Sequence, residues 1–435
     1  MIVPSVSFQV YHDLAADIDM CYNSHVQGED LSMIRIIKRK IKSIWRHIDP
    51  SEEGKIRRIV KEPPPVKEDL ILFTSSEDYS GNPKALFEYM IEHGYNKRYE
   101  FVWLFENRDN LIHFDIPNVR SVCMYKEGKR RSFEAQKAAL SARYLFYSHN
   151  LNWVRNFREE QTYIDLWHGC GYKGELKRDK TKVYYSYLMV TGKKYIDIFR
   201  DVMNDPDGNI LDLGYPRNEM LFRENTKAGR YLEELKAAAG ATKSIIWMPT
   251  YRKSPVARLS TDIELGETGL PVLYTNNEIG QINQCCKEND VLLIIKRHHL
   301  QTDYTVDPEA IRNIVFVGSD MLNENGADLY EFMGSTDAML TDYSSAAIDY
   351  LLTDKPIGFT LDDFDKYEET RGWSFDNVKS YMPGHHIYTV DDMNKFICDV
   401  AEGKDPHAEW RKQILPEMHT YNEGFSKRIL EYFGI

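Results

Sequence analysis

From residue 70 onward, short apolar runs of strand length alternate with helix-length segments, and this rhythm restricts the fold more than any other feature. The runs are LILFTS from Leu70, YEFVWLF from Tyr99, VRSVCMY from Val119, RYLFYSH from Arg143, TYIDLW from Thr162, SYLMVTG from Ser186 and NILDLGYPRN from Asn209. Helices are expected from Pro83, with Asn82 as the N-cap, and near 131–142. Strand–helix alternation argues parallel βαβ units with right-handed crossovers. A polar, Ala/Lys-rich stretch at 225–243 predicts a helix that leads into a second series. That series reads SIIWMPTYR from Ser244, DVLLIIKRHH from Asp290, NIVFVGS from Asn313, DAMLTDYSS from Asp337 and KPIGFT from Lys355. Two α/β units of similar size imply a cleft lined by the carboxyl ends of strands, where open α/β sheets bind ligands.

Composition sets the surroundings. At 435 residues the chain exceeds one ordinary domain. A net charge of −12 argues against a nucleic-acid binder, but a locally basic site for an anionic small substrate stays compatible with it. Six cysteines without CxxC spacing read as reduced thiols of a cytosolic protein. The N-terminus lacks a basic n-region and a long apolar core, so no signal peptide is expected. Every apolar run falls far short of the roughly 20 residues of a spanning helix.

Residues 33–48 place Ile34, Ile37, Ile41, Ile44 and Ile48 on one helical face, with Lys38, Arg39, Lys40, Lys42 and Arg46 between them. Two readings stand. One is an interfacial helix on an anionic leaflet, with Trp45 at headgroup depth. The other is a helix docked on its own domain. Residues 61–69, KEPPPVKED, read as a stiff linker. The expected organisation is an extension over 1–68, a first α/β domain over 69–235, a second over 236–403, and a helical segment over 404–435 that packs back across the domains.

Four stretches at strand ends carry reactive residue types. In WHGCGYK (167–173), glycines on both sides of Cys170 let the backbone turn sharply and leave His168 at the strand end. That imidazole is either a general base or a hydrogen-bonded structural histidine. In IIKRHHLQ (294–301), Lys296 and His298 share a strand face and suit a phosphate oxygen; a surface basic cluster is the alternative. No third metal ligand has a recognisable spacing. In DAMLTDYSSAAIDYLL (337–352), a buried strand runs into Asp342, Ser344 and Ser345 and then an Ala-rich helix, which reads as an anion-binding turn, plain N-capping, or both. GYPRNE (214–219) and MPTYRKS (248–254) bring Arg217, Thr250 and Arg252 to strand ends. No Walker sequence occurs.

Taken in order, these motifs resemble the CDP-glycerol glycerophosphotransferases, the primases and polymerases of teichoic acid synthesis. WHGCGYK is similar to that family's His-Gly motif, GYPRN to its Gly-Tyr-Pro-Arg-Asn, MPTYR to its Ala-Pro-Thr-Trp-Arg and KRHH to its Lys-x-His-Pro. LTDYSSAAIDYLLTDKP (340–356), YEETRGWSFD (367–376) and NPKALFEYM (82–90) complete a resemblance that covers about 70–400. Cys170 and Gly171 stand where Thr and Pro are usual, and His299 replaces Pro.

The resemblance implies a GT-B-like α/β fold: two Rossmann-like domains facing a central cleft, plus the helical N-terminal extension. It implies CDP-glycerol or CDP-ribitol as donor, with no tightly bound cofactor and a divalent cation only as an optional screen of the diphosphate. His168 takes the base position and His298 the donor-phosphate position, both as catalytic residues. Arg217, Thr250, Arg252, Lys296, Asp342, Ser344, Ser345 and Arg371 take donor-binding positions. The acceptor would be a hydroxyl of a lipid-linked or polymeric substrate at the inner face of the plasma membrane. Two other readings stay open: a GT-B glycosyltransferase or epimerase using a UDP-sugar, and an idle scaffold in a polymer-synthesis complex.

Overall fold

The computed structural model of the chain describes residues 49–126, 130–149, 151, 153–154, 156–174, 184–250, 252, 263, 265–296 and 311–435. The basic segment 33–48, Lys177, His298 and His299 lie outside the described residues.

The first half opens with α1 (Glu52–Lys61), capped by Ser51, whose Oγ accepts the Gly54 N–H. It continues through β1 (Lys67–Thr74), α2 (Gly81–Glu92), β2 (Glu100–Phe105), β3 (Val119–Cys123), α3 (Phe133–Ser141), β4 (Ala142–Tyr147), β5 (Thr162–Asp165), β6 (Tyr187–Met189), α4 (Lys194–Val202) and β7 (Ile210–Leu211). The seven strands form one sheet in the order β3-β2-β1-β4-β5-β6-β7, parallel throughout.

A 3₁₀ turn over Pro216–Phe222 and α5 (Lys227–Ala239) lead into the second half. There follow β8 (Lys243–Met248), α6 (Asn276–Glu288), β9 (Val291–Lys296), β10 (Ile314–Val317), α7 (Ser319–Glu324), α8 (Leu329–Ser335), β11 (Ala338–Thr341), α9 (Ala346–Tyr350), β12 (Ile357–Thr360), α10 (Phe364–Arg371) and β13 (His385–Ile387). The second sheet has the order β10-β9-β8-β11-β12-β13 and is again wholly parallel. Three helices close the chain: α11 (Val390–Ala401), α12 (Ala408–Met418) and α13 (Phe425–Phe433).

Both sheets reverse their strand order at one place, between β1 and β4 in the first and between β8 and β11 in the second. This is the doubly wound arrangement, and the crevice at each reversal is where such sheets take ligands. Two such sheets make the architecture GT-B-like, as the resemblance implies.

The continuous apolar runs follow from burial on both faces. Leu70, Leu72, Val102 and Leu104 fill one side of the first sheet. Ile71, Phe73, Phe101 and Trp103 fill the other, with the Phe73 ring stacked between Trp103 and Phe146 at 5.6 Å from each. This second cluster continues through Tyr172, Tyr215 and Tyr343 to Ile246, Ile294 and Met339 of the second sheet. The two halves therefore share one core. Among the described residues no helix is long and apolar enough to cross a membrane.

Two local expectations change. β1 begins at Lys67, inside the stretch read as a linker. The N-cap of α2 is Ser80 rather than Asn82. Asn82 is used elsewhere: its Nδ2 donates to the carbonyls of Leu166 and Trp167 at 2.9 and 3.0 Å. That bond ties the start of α2 to the turn after β5.

The final helix returns to the first sheet. The Phe433 ring lies 5.1 Å from Tyr187 and 6.4 Å from Phe146. Ser426 donates from its N–H and its hydroxyl to the Glu219 carboxylate at 2.9 and 2.8 Å. Phe425 is fully buried against Gly214, where a Cβ would sit 2.7 Å from ring Cε1. Phe425→Ala is therefore expected to cost about 3–5 kcal/mol of stability, read as a lower urea midpoint.

Candidate active site

Past β5 the backbone is forced into a sharp turn. The Asp165 carboxylate accepts the Trp167 N–H at 2.8 Å. Trp167 adopts φ 51°, left-handed for a bulky residue. Its indole N–H donates to the Gly169 carbonyl at 3.0 Å. The turn leaves the imidazole of His168 half-buried, 4.3 Å from the Trp167 ring and 4.0 Å from the ring of His149, which follows β4.

The same turn touches the second half. A Cβ on Gly169 would lie 2.9 Å from Ser345 Cβ, closer still to its Oγ, and 3.5 Å from Arg217 Nη2. A Cβ on Gly171 would lie 3.3 Å from Ser345 Cβ. Glycine is needed at 169 because any side chain would push the two halves apart. Downstream, Lys173 makes a bridge with Trp373, and the Gly174 N–H donates to the Gly372 carbonyl at 2.9 Å. The Ser374 N–H donates to Tyr172 O at 2.9 Å, and the Arg371 carbonyl lies 2.7 Å from a Cβ placed on Gly174. The His-Gly loop is thus joined to both the Ser345 turn and the Arg371 segment.

Behind the Ser345 turn sits a buried brace. Thr250 donates from its N–H and its hydroxyl to Asp342 at 2.8 and 2.5 Å. Arg252, only 2% exposed, donates from Nη1 to Asp342 at 2.7 Å and from Nε to Asp363 at 2.6 Å. Tyr343 adds a hydroxyl bond to Asp363 at 2.7 Å. Burial disfavours the Arg252 charge, and the two carboxylates more than offset this, so its pKa rises. Thr250, Arg252 and Asp342 therefore spend their polar groups on one another. Ser344 and Ser345 occupy the turn itself, where Ser344 Oγ accepts the Ala346 N–H at 3.3 Å. The helix that follows is five residues long, shorter than the Ala-rich stretch implied.

Arg217 is committed in the same manner. Its guanidinium donates to Asp349 at 2.8 Å, Asn218 donates to the other oxygen of that carboxylate at 3.1 Å, and Tyr330 adds a bond at 2.6 Å. The ion pair is buried on both sides. Cys170 also faces inward, its sulfur 3.0 Å from the Tyr215 hydroxyl, and burial pushes its thiol up to about 12. It is a packing residue, not a nucleophile.

Lys296 ends β9 and donates to Ser319 Oγ at 3.0 Å. Burial lowers its pKa, against the raising fields of Glu77 and Asp320. Glu77 follows β1 in the other half, so Lys296 stands where the two carboxyl edges face. Among the described residues no group of three or more His, Cys, Asp and Glu is arranged to hold a metal ion.

Asp349, Asp363 and His149 are missed by the motif reading. Asp349 is the one acid in the apolar run AAIDYLL, a mismatch that marks it as a buried partner. The Arg217–Asp349 pair yields a stability prediction. Asp349→Leu alone strands a buried cation and is expected to cost about 3–5 kcal/mol. Arg217→Met in the same chain should restore most of it, read by urea unfolding of the single and double variants.

A family model described as CDP-glycerol:poly(glycerophosphate) glycerophosphotransferase matches residues 56–433. The chain is 28% identical over 358 residues to a teichoic acid poly(glycerol phosphate) polymerase of Staphylococcus epidermidis, covering 74% of this chain and 44% of that protein. It thus spans less than half the length of that relative. It is 25% identical to a teichoic acid glycerol-phosphate transferase of Staphylococcus aureus, covering 83% of this chain and 92% of that one. The structure of the wall teichoic acid polymerase TagF superposes with a TM-score of 0.68 at 20% identity, over 92% of this chain and 97% of that one.

Proposed function

The chain belongs to the CDP-glycerol:poly(glycerophosphate) glycerophosphotransferase family, and from that premise we propose that it moves glycerol phosphate from CDP-glycerol to an acceptor hydroxyl, releasing CMP. The observation that carries this reading is the contact of the His168-Gly169 loop with the Ser345 turn. It brings the loop that carries a titratable ring in one half against a hydroxyl turn of the other, which suits a transfer between two bound substrates.

In this mechanism the acceptor oxygen attacks the phosphorus that carries glycerol. The new P–O bond forms as the bond to CMP breaks, and His168 takes the hydroxyl proton. Such a base contributes about 10²–10⁴-fold. Ser344, Ser345, Lys296 and Arg371 meet the diphosphate, with His298 assigned by its motif to the same charge. Positioning and charge stabilisation dominate transfers of this kind. Arg217, Arg252, Thr250 and Asp342 act one layer behind, holding the turns that touch the donor.

The acceptor is proposed to be lipid-linked or polymeric glycerol phosphate, in teichoic acid or a related cell-surface polymer. The basic amphipathic segment 33–48 supports docking on an anionic leaflet.

CMP release from CDP-glycerol with a glycerol-phosphate-terminated acceptor tests the chemistry. His168→Ala should lose about 10²–10⁴-fold in kcat, and wild-type turnover by that variant removes the base assignment. Co-sedimentation with anionic vesicles tests the docking. A chain starting at residue 49 should bind them more weakly than the full chain, and equal binding rejects the segment as the anchor.

A further inference from the structure

The first sheet reverses its strand order between β1 and β4, so its ligand crevice opens beyond Thr74 and Tyr147. His168 follows β5, one strand to the side. The histidine at the reversal itself is His149. Its ring lies face to face with that of His168, centroids 4.0 Å apart and planes 10° apart. Its two ring nitrogens lie 3.3 Å from Ser148 Oγ and 3.4 Å from Ser76 Oγ, and Ser76 follows β1. The backbone pays for this placement with φ 86°, left-handed for a non-glycine residue. Trp167, on the other flank of His168, is left-handed too. Two strained residues thus present rings to the imidazole that the mechanism uses.

We propose that His149 is a positioning residue for the transfer: its ring holds the His168 imidazole in the crevice, oriented to take the proton of the acceptor hydroxyl. The inference rests on His168 being the base. It has a second consequence. Two imidazoles at this separation resist carrying a proton each, because like charges in contact disfavour one another. In this proposal a proton on one ring disfavours a proton on the other, so His168 stays available as a base to lower pH than it would alone. Among the described residues, the charged groups on neighbouring elements include Asp165 on β5, Glu77 and Asp78 after β1, Lys296 on β9, and Arg217, whose Nη2 lies 3.5 Å from a Cβ placed on Gly169. Asp78 is engaged with the backbone amides of Glu106 and Asn107, and Asp165 with that of Trp167.

The test uses the full chain and CMP release from CDP-glycerol, across about pH 5 to 9, the range in which imidazoles titrate. His149→Asn suits the left-handed backbone and removes the ring. It should lower kcat by about 10–100-fold, less than the roughly 10²–10⁴-fold of the base itself, and leave the KM for CDP-glycerol within about two-fold. His149→Phe keeps a ring face without a proton. It should recover most of kcat at high pH and move the acid limb up by about half to one unit. Wild-type kcat and an unmoved acid limb in His149→Asn, with His168→Ala inactive, overturn the proposal. So do equal losses in the Asn and Phe variants with no shift of the limb. An active His168→Ala overturns the base assignment instead.

Discussion

A guanidinium buried between two sheets needs a carboxylate opposite it, and the pairing of Arg217 with Asp349 is the constraint on which the rest of the molecule depends. Arg217 belongs to the turn after the first sheet, and Asp349 to the short helix behind the Ser345 turn of the second. Neither is tolerable alone in that environment, so the two halves are held in one relative placement. The bond from the Arg217 N–H to Asn82 Oδ1, at 3.2 Å, carries the constraint on to α2, and the Asn82 amide carries it to the turn that presents His168. Arg252 does the equivalent work inside the second sheet, joining Asp342 at the strand reversal to Asp363. The outer pairs, Lys84 with Asp328 and Arg223 with Glu92, bridge more exposed surfaces and add little by comparison.

On this frame the active turn is shaped by close approach. Gly169 lets the His-Gly loop reach Ser345, and Trp167 and His149 accept unfavourable backbone angles on either side. Strain of this kind persists only where the surroundings over-determine it. Here they do so through the Asp165 cap, the indole bond to Gly169 and the Asn82 amide. The proposed chemistry divides accordingly. In that proposal the first half supplies the imidazole that takes the proton, and the second supplies hydroxyls and cations suited to a diphosphate. The substituted positions fit this division. Cys170 is turned into the core against Tyr215, and Gly171 allows Ser345 to approach, so neither change removes a group from the crevice.

The strand–helix rhythm, the two successive α/β series and the order of the motifs are all written in local pattern. Buried parallel strands demand continuous apolar runs, and chain turns at strand ends demand glycine, proline or small polar residues. LILFTS and VLLIIK become β1 and β9 for that reason. β13 is the exception: its three residues, His-His-Ile, carry no apolar run, because it lies at the edge of its sheet and draws its stability from pairing with β12.

The sequence by itself determined that two parallel α/β halves would form, and which strand ends would carry histidine, serine and arginine, because those signals span only a few residues. Only the tertiary structure decided what each of them does. Arg217 meets Asp349 across 132 positions and Arg252 meets Asp363 across 111, so two arginines that look available for a phosphate are spent on buried acids. His149, the last residue of an ordinary strand run, comes to face His168 only because β4 and β5 are neighbours in the sheet. Which residues meet depends on how the sheets pair and pack, and no local periodicity records that.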